Sequence, residues 1–186
     1  MTSSTASFTC DPGTVNLSAT SDIGTVYWYA ASTGGTALAS DTAFTTPVIT
    51  TSTTYYAGAI SSLGCITSAR TAVIASVYPI PLITYTLPGT VCGSGTATIA
   101  ATASVGTIHW YSASTGGVAL ASGSSYTTPT ISTTTTYYVD ATSNGCTSTS
   151  RTGITVQNNV PPIANCKNLT IQLNSAGTAS IIAVSK

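Results

Sequence analysis

Apolar and polar residues alternate along most of this chain with a period of two. Val15, Leu17 and Ala19 fall on one side of a stretch whose other side carries Asn16 and Ser18. Val26 and Trp28 share a side, with Tyr27 and Tyr29 opposite. This is the pattern of half-buried β-strands. The segments AFTTPVIT, TTYYAGAIS and ITSARTAVIASV continue it, so short strands recur at intervals of about ten residues, the spacing of a sandwich or barrel. A sustained period near 3.6 is absent, and Glu, Leu and Lys, which favour helices, are scarce or missing. Gly34-Gly35, between the Trp28 strand and TALAS, predicts a tight hairpin in which both glycines take positive φ. The fold class expected is all-β.

The pattern occurs twice. VYWYAASTGGTALAS at residues 26–40 returns as IHWYSASTGGVALAS at 108–122. Cys10 and Cys92, Trp28 and Trp110, Pro47 and Pro129, and Tyr55 and Tyr137 all stand 82 apart. Past Tyr56 the offset becomes 81, as Cys65 with Cys146 and Arg70 with Arg151 show, so SSLGC and SNGC belong to a loop that tolerates a change of length. The organisation expected is a lead-in over 1–8, modules at 9–79 and 91–158, and a linker over 80–90 that Pro79, Pro81 and Pro88 keep extended. Residues 159–186 break the repeat. Leu169, Ile171 and Leu173 share a face there and NSAG is a turn, which suggests the opening of a third, truncated β module. A lone hairpin is marginal in water. The N-terminus has neither a basic nor an apolar signal segment. Met1 is therefore expected to begin a piece of a longer exported chain.

The order of Cys, alternating strand, Trp-Tyr, Thr-Gly-Gly, Thr-Thr-Pro, Thr-Thr-Tyr-Tyr, Gly-Cys-Thr-Ser and Arg-Thr resembles the immunoglobulin-like repeats of giant surface and secreted proteins of gliding Bacteroidota, including adhesins exported by the type IX system. The resemblance spans both modules and implies tandem immunoglobulin-like β-sandwiches in an extracellular, cell-surface chain. It also implies that Thr42, in Asp41-Thr42-Ala43, is a candidate O-glycosylation site, although the second module has Gly123-Ser124-Ser125 at the matching place.

Charge narrows the function further. The chain holds 4 Lys+Arg and 4 Asp+Glu in 186 residues, and every acid is Asp. A surface with so little field does not steer nucleic acid or anionic lipid. About a third of the residues are Ser or Thr. No run approaches the length of a membrane span, so neither nucleic acid nor membrane insertion is expected among the partners.

Five cysteines carry the main candidate chemistry. Cys10 with Cys65, and Cys92 with Cys146, occupy matching positions, which predicts one disulfide inside each module; buried free thiols are the alternative. Closing such a loop stabilises by roughly 4 kcal/mol in the chain-entropy model. Cys166 is left over, with its partner expected beyond Lys186. Two cysteines and at most one histidine per module fall short of a zinc set, and scarce carboxylates fall short of calcium, so no metal or cofactor is expected. His109 lacks a nearby acid in sequence and reads as a solvent-facing strand residue; no catalytic motif appears. Arg70 and Arg151 are expected to stack on a tyrosine or bond a carbonyl. One member of each pair Tyr55-Tyr56 and Tyr137-Tyr138 should enter the core. Tyr27, Tyr29 and Tyr111, opposite the buried tryptophans, are candidate ligand-facing aromatics for a sugar.

The leading expectation is a non-enzymatic spacer in the stalk of an adhesin or surface filament, with modules end to end and little shared surface. A carbohydrate-binding module attached to a secreted enzyme is the second reading. A filament subunit joined by its tail strands is the third. The partners expected are neighbouring repeats, copies of itself, or surface polysaccharide.

Overall fold

The computed structural model describes residues 3–163 and 171–179. The first module contains β1 (Ser3–Thr5), β2 (Ser7–Cys10), β3 (Asn16–Thr20), β4 (Thr25–Tyr29), β5 (Ala39–Ser40), β6 (Ala43–Thr45), β7 (Thr53–Ile60) and β8 (Thr71–Tyr78). The second repeats it with β9 (Ile83–Leu87), β10 (Gly89–Cys92), β11 (Thr98–Ala103), β12 (Thr107–Tyr111), β13 (Ala121–Ser122), β14 (Ser125–Thr127), β15 (Thr135–Ser143), β16 (Cys146–Thr147) and β17 (Thr152–Asn159). In each module a three-stranded sheet faces a larger one. The orders are β1-β3-β6 over β2-β8-β7-β4-β5, and β9-β11-β14 over β10-β17-β15-β12-β13, with β16 beside β15. All pairings are antiparallel except β2 with β8 and β10 with β17, where the opening segment of each module runs parallel to its last strand.

These pairings move two of the expected boundaries. Within the expected 1–8 lead-in, residues 3–8 are part of the first sandwich, since β1 and the start of β2 pair into it. Residues 80–90 are not a linker, since β9 pairs with β11 and β10 with β17. Thr, Tyr and Ile in this stretch favour strands, and Pro88 sits in the break between two of them, where no ladder hydrogen bond is lost. The true connection is the short Pro79-Ile80-Pro81 run.

Alternation places the core as the pattern implies. Val15, Leu17 and Ala19, with Phe44 beside Leu17 on the same sheet, face Val26, Trp28, Tyr55, Val73 and Ala75 in the first module. Ile99, Ile108, Trp110, Tyr137, Val139 and Ile154 do the same in the second. Both tryptophans are 0% exposed. Trp28 pairs across strands with the small, fully buried Ala57, so a large side chain is accommodated beside a small one. Its ring stacks on Phe44, and Trp110 stacks on Tyr126. Each indole N–H donates to a backbone carbonyl, Asp41 O at 2.9 Å and Gly123 O at 2.8 Å, so the buried donor is satisfied.

Gly34 and Gly35 do take positive φ (61° and 74°), as do Gly116 and Gly117, but they do not close a tight hairpin. β4 and β5 pair through Tyr27–Ser40 and Trp28–Ala39, leaving a loop over 30–38 in which the glycine pair is one bend.

Residues 171–179 contain no strand; Asn174 Oδ1 accepts from the N–H groups of Ala176 and Thr178, forming the expected turn. Leu169 and Cys166 lie outside the described residues.

Candidate functional site

Two places gather the chemistry: the junction between the modules and a cleft that each module repeats.

The junction follows from strand direction. β2 and β8 run parallel, so Cys10 and Tyr78 end side by side at the trailing end of the first module. In the second module Cys146 opens β16 directly after the β15–β16 turn, with Ser143 opposite it. Thr142 and Ser143 crowd Gly106, beside the leading end where the chain enters β9. These two ends meet, and Cys10 is disulfide-bonded to Cys146 with a Cα–Cα distance of 5.6 Å across 136 residues of sequence. Cys65 and Cys92 are free and exposed.

This corrects the expected pairing Cys10–Cys65 and Cys92–Cys146. Cys65 lies in the turn that precedes β8, whereas Cys10 lies level with the last residue of that strand. Eight residues of β8 put roughly 25 Å between the two ends at about 3.3 Å per residue. A disulfide needs Cα atoms within about 7 Å. Equivalent positions in a repeat are compatible with a bond inside each unit or with one between consecutive units, and strand direction allows only the second.

The rest of the junction is built around that bond. Pro81 is fully buried, and its carbonyl accepts from Ser148 Oγ at 2.8 Å while Ser148 Oγ accepts from Ala141 N at 3.1 Å. The Asp11 carboxylate, on a residue with φ of 61°, accepts from the Ile80 N–H at 3.1 Å. The Phe8 ring leans on Tyr78 and lies over Gly145, where an added Cβ would come within 2.8 Å of Phe8 Cζ. Gly145 also has φ of 83°, so only glycine fits there. Ile83 packs on the second core, whereas Leu82 is exposed and Pro81 takes the anchoring place.

The clefts lie between the glycine-pair loop and the segment before the last strand. One of about 390 Å³ is lined by Ser32, Thr33, Gly34, Thr67 and Arg70. Its counterpart, about 490 Å³, is lined by Ser114, Thr115, Gly116, Asp140, Ser148 and Arg151. Arg70 lies over the Tyr29 ring and donates from Nη1 to Ala31 O and Gly34 O at 2.6 and 2.7 Å. Arg151 does the same over Tyr111, to Ala113 O and Gly116 O. The expected structural role of both arginines is therefore observed: each clamps a loop. One face of Tyr29 and of Tyr111 is covered by a guanidinium, which removes them as an open stacking platform. Tyr27 is half-buried on the same side.

Asp140 distinguishes the second cleft. It replaces Gly58, is 5% exposed and pairs with Arg151 Nε at 3.3 Å, leaving its Oδ1 without a protein partner. His109 stands opposite it across β12 and β15, a neighbour that spacing in sequence concealed. The imidazole is half-buried rather than solvent-facing, and its Nδ1 lies 2.9 Å from Ser122 Oγ. Tyr55 and Tyr137 are the buried members of their pairs, and burial raises the Tyr137 phenol above its ordinary value, with nearby Tyr126 adding to the effect. Thr42 is exposed beside Asp41. Among the described residues no group of three or more His, Cys, Asp or Glu gathers to hold a metal ion, and no helix is long and apolar enough to cross a membrane.

Two stacked-sheet modules in tandem, without helices among the described residues, are immunoglobulin- or fibronectin-like repeats. The chain belongs to the family described as "Ig-like domain CHU_C associated", matched twice, over residues 1–79 and 80–162. Among solved structures it is similar to fibronectin(III)-like modules of Clostridium thermocellum CbhA, at 17% identity and a TM-score of 0.51, covering 89% of this chain and 95% of that one. It is also similar to the titin I-band fragment I67–I69, at 12% identity and a TM-score of 0.40, covering 82% and 61%. No curated protein matches the sequence.

Proposed function

We propose that this chain is a non-catalytic spacer segment of an extracellular, cell-surface protein, an adhesin or filament exported by the type IX system, whose modules are held end to end. The observation that carries the reading is the Cys10–Cys146 bond, which joins consecutive modules instead of closing either one. A bond that lies outside both cores does little for the interior of either sandwich and restricts how one module swings against the next. Buried Pro81 and the Ser148 hydrogen bond act on the same degree of freedom. Persistent disulfides belong to oxidising, exported surroundings. With 4 Lys+Arg and 4 Asp+Glu in 186 residues, the chain carries little charge anywhere, which suits a passive repeat.

Small-angle scattering of the oxidised chain tests it. A maximum dimension of about two module lengths with a narrow spread is the expected result. A compact particle with the modules side by side overturns the reading.

A second reading, contact with polysaccharide, has one observation in its favour. The second cleft sets the Arg151–Asp140 ion pair among Ser114, Thr115 and Ser148, a mix of charged and hydroxyl groups that suits a sugar. Titration with surface polysaccharide, comparing the chain with Asp140→Asn, decides it. The candidate glycan on Thr42 is checked by the mass of the chain isolated from its native cells.

A further inference from the structure

The Cys10–Cys146 bond joins two positions that each occur twice. Cys92 is the repeat of Cys10, and Cys65 is the repeat of Cys146. The free pair is presented like the bonded one. Cys92 ends β10, which runs parallel to β17 as β2 runs parallel to β8. The residue after each cysteine has positive φ, 61° at Asp11 and 77° at Gly93, and each donates its N–H to the last residue of the final strand. Cys65 follows Gly64 with φ of 80°, as Cys146 follows Gly145 with φ of 83°. Thr67 accepts from Ala59 N as Ser148 accepts from Ala141 N, so its hydroxyl proton is free to point where Ser148 points at Pro81. The difference is what covers them. Cys146 is buried under the first module and Gly145 under Phe8, whereas Cys65 is exposed and nothing lies within 4 Å of a Cβ built on Gly64.

We infer that Cys65 and Cys92 are the two open halves of the same inter-module staple: Cys92 at the trailing end bonds the Cys65 position of another module of this kind, docked end to end, and Cys65 accepts the trailing cysteine of the module before it. In the isolated chain that other module is supplied by a second copy. The contact is head-to-tail, so it does not close on itself and propagates as a line. The chemistry is thiol–disulfide exchange. The Cys65 thiolate attacks a small-molecule disulfide such as oxidised glutathione and releases one glutathione thiolate. The Cys92 thiolate of the preceding copy then attacks the mixed disulfide at Cys65 sulfur and releases the second. Two protein thiols are oxidised and one disulfide is reduced to two thiols. The inference deepens the spacer reading and rests on it only for the end-to-end geometry; the test below reads cysteine connectivity, whereas scattering reads shape, so the two fail separately.

The test uses the full chain with Cys10–Cys146 intact, concentrated and treated with oxidised glutathione. The expected result is a non-reducing ladder whose linked peptides contain Cys92 and Cys65. The ladder is lost in Cys65→Ser and in Cys92→Ser alone, a mixture of those two variants stops at a dimer, and Cys166→Ser leaves the ladder unchanged. Symmetric Cys65–Cys65 or Cys92–Cys92 pairs in comparable yield overturn the inference. So does a Cys92–Cys166 bond within one chain, or monomer carrying glutathione on both thiols.

Discussion

The guanidinium carbon of Arg70 lies 3.3 Å from the centroid of the Tyr29 ring, while the same side chain holds two carbonyls of the 30–38 loop. One residue thus ties the exposed side of β4 to the loop that leaves it. Arg70→Ala should destabilise the first module by about 1–3 kcal/mol, the sum of a cation–π contact and charge-assisted hydrogen bonds at a partly exposed site. Arg70→Lys should recover little of it, because an ammonium does not present the same planar fork. Denaturant unfolding followed by tryptophan fluorescence measures both.

Arg151→Ala should cost more, about 3–5 kcal/mol, because it also leaves the buried Asp140 carboxylate without its cation. Combining it with Asp140→Ala should bring the loss back toward that of Arg70→Ala. Equal losses for the two single arginine variants would show that the ion pair contributes nothing.

Trp28→Ala and Trp110→Ala each remove a fully buried indole, and each should cost roughly 3–5 kcal/mol. Calorimetry should show one of two module transitions lowered, a different one in each variant. An unchanged melting temperature would contradict the packing.

Alkaline stability has a defined sign. The Tyr137 phenol is raised in the folded state because burial disfavours its ionised form. The folded chain therefore holds that proton at pH values where the unfolded chain has lost it. Its contribution is fully present below about pH 10 and falls as pH rises through the folded value. Tyr137→Phe should flatten the loss of stability above pH 10, measured as melting temperature against pH.

The faces of the strands were legible from alternation alone: Leu17, Trp28 and Trp110 lie where the pattern puts them. So were the repeat and the arginine stacking, since a lone cation beside paired tyrosines has few other partners. What stayed hidden depends on strand direction. Nothing in the residues of Ser7–Cys10 announces that this segment runs parallel to β8, and that one fact decides whether Cys10 meets Cys65 or Cys146. Prolines misled in the same way: Pro79, Pro81 and Pro88 suggested one long extended connection, although two strands lie between and beyond them. Asp140 escaped notice because cross-strand neighbours such as His109 are remote in sequence.

Pulling on the two ends of this chain loads it along its covalent backbone, and the Cys10–Cys146 bond alters that route. Tension entering at the first strand passes from β2 through the sulfurs to Cys146, so the intervening 136-residue span is bypassed. At about 3.3–3.6 Å per extended residue, some 450 Å of contour length is withheld from unravelling. Even if the first sandwich melts under load, its slack is not released. The tether yields that length only when a reductant cuts the bond, which makes its extensibility a matter of redox chemistry as well as of force.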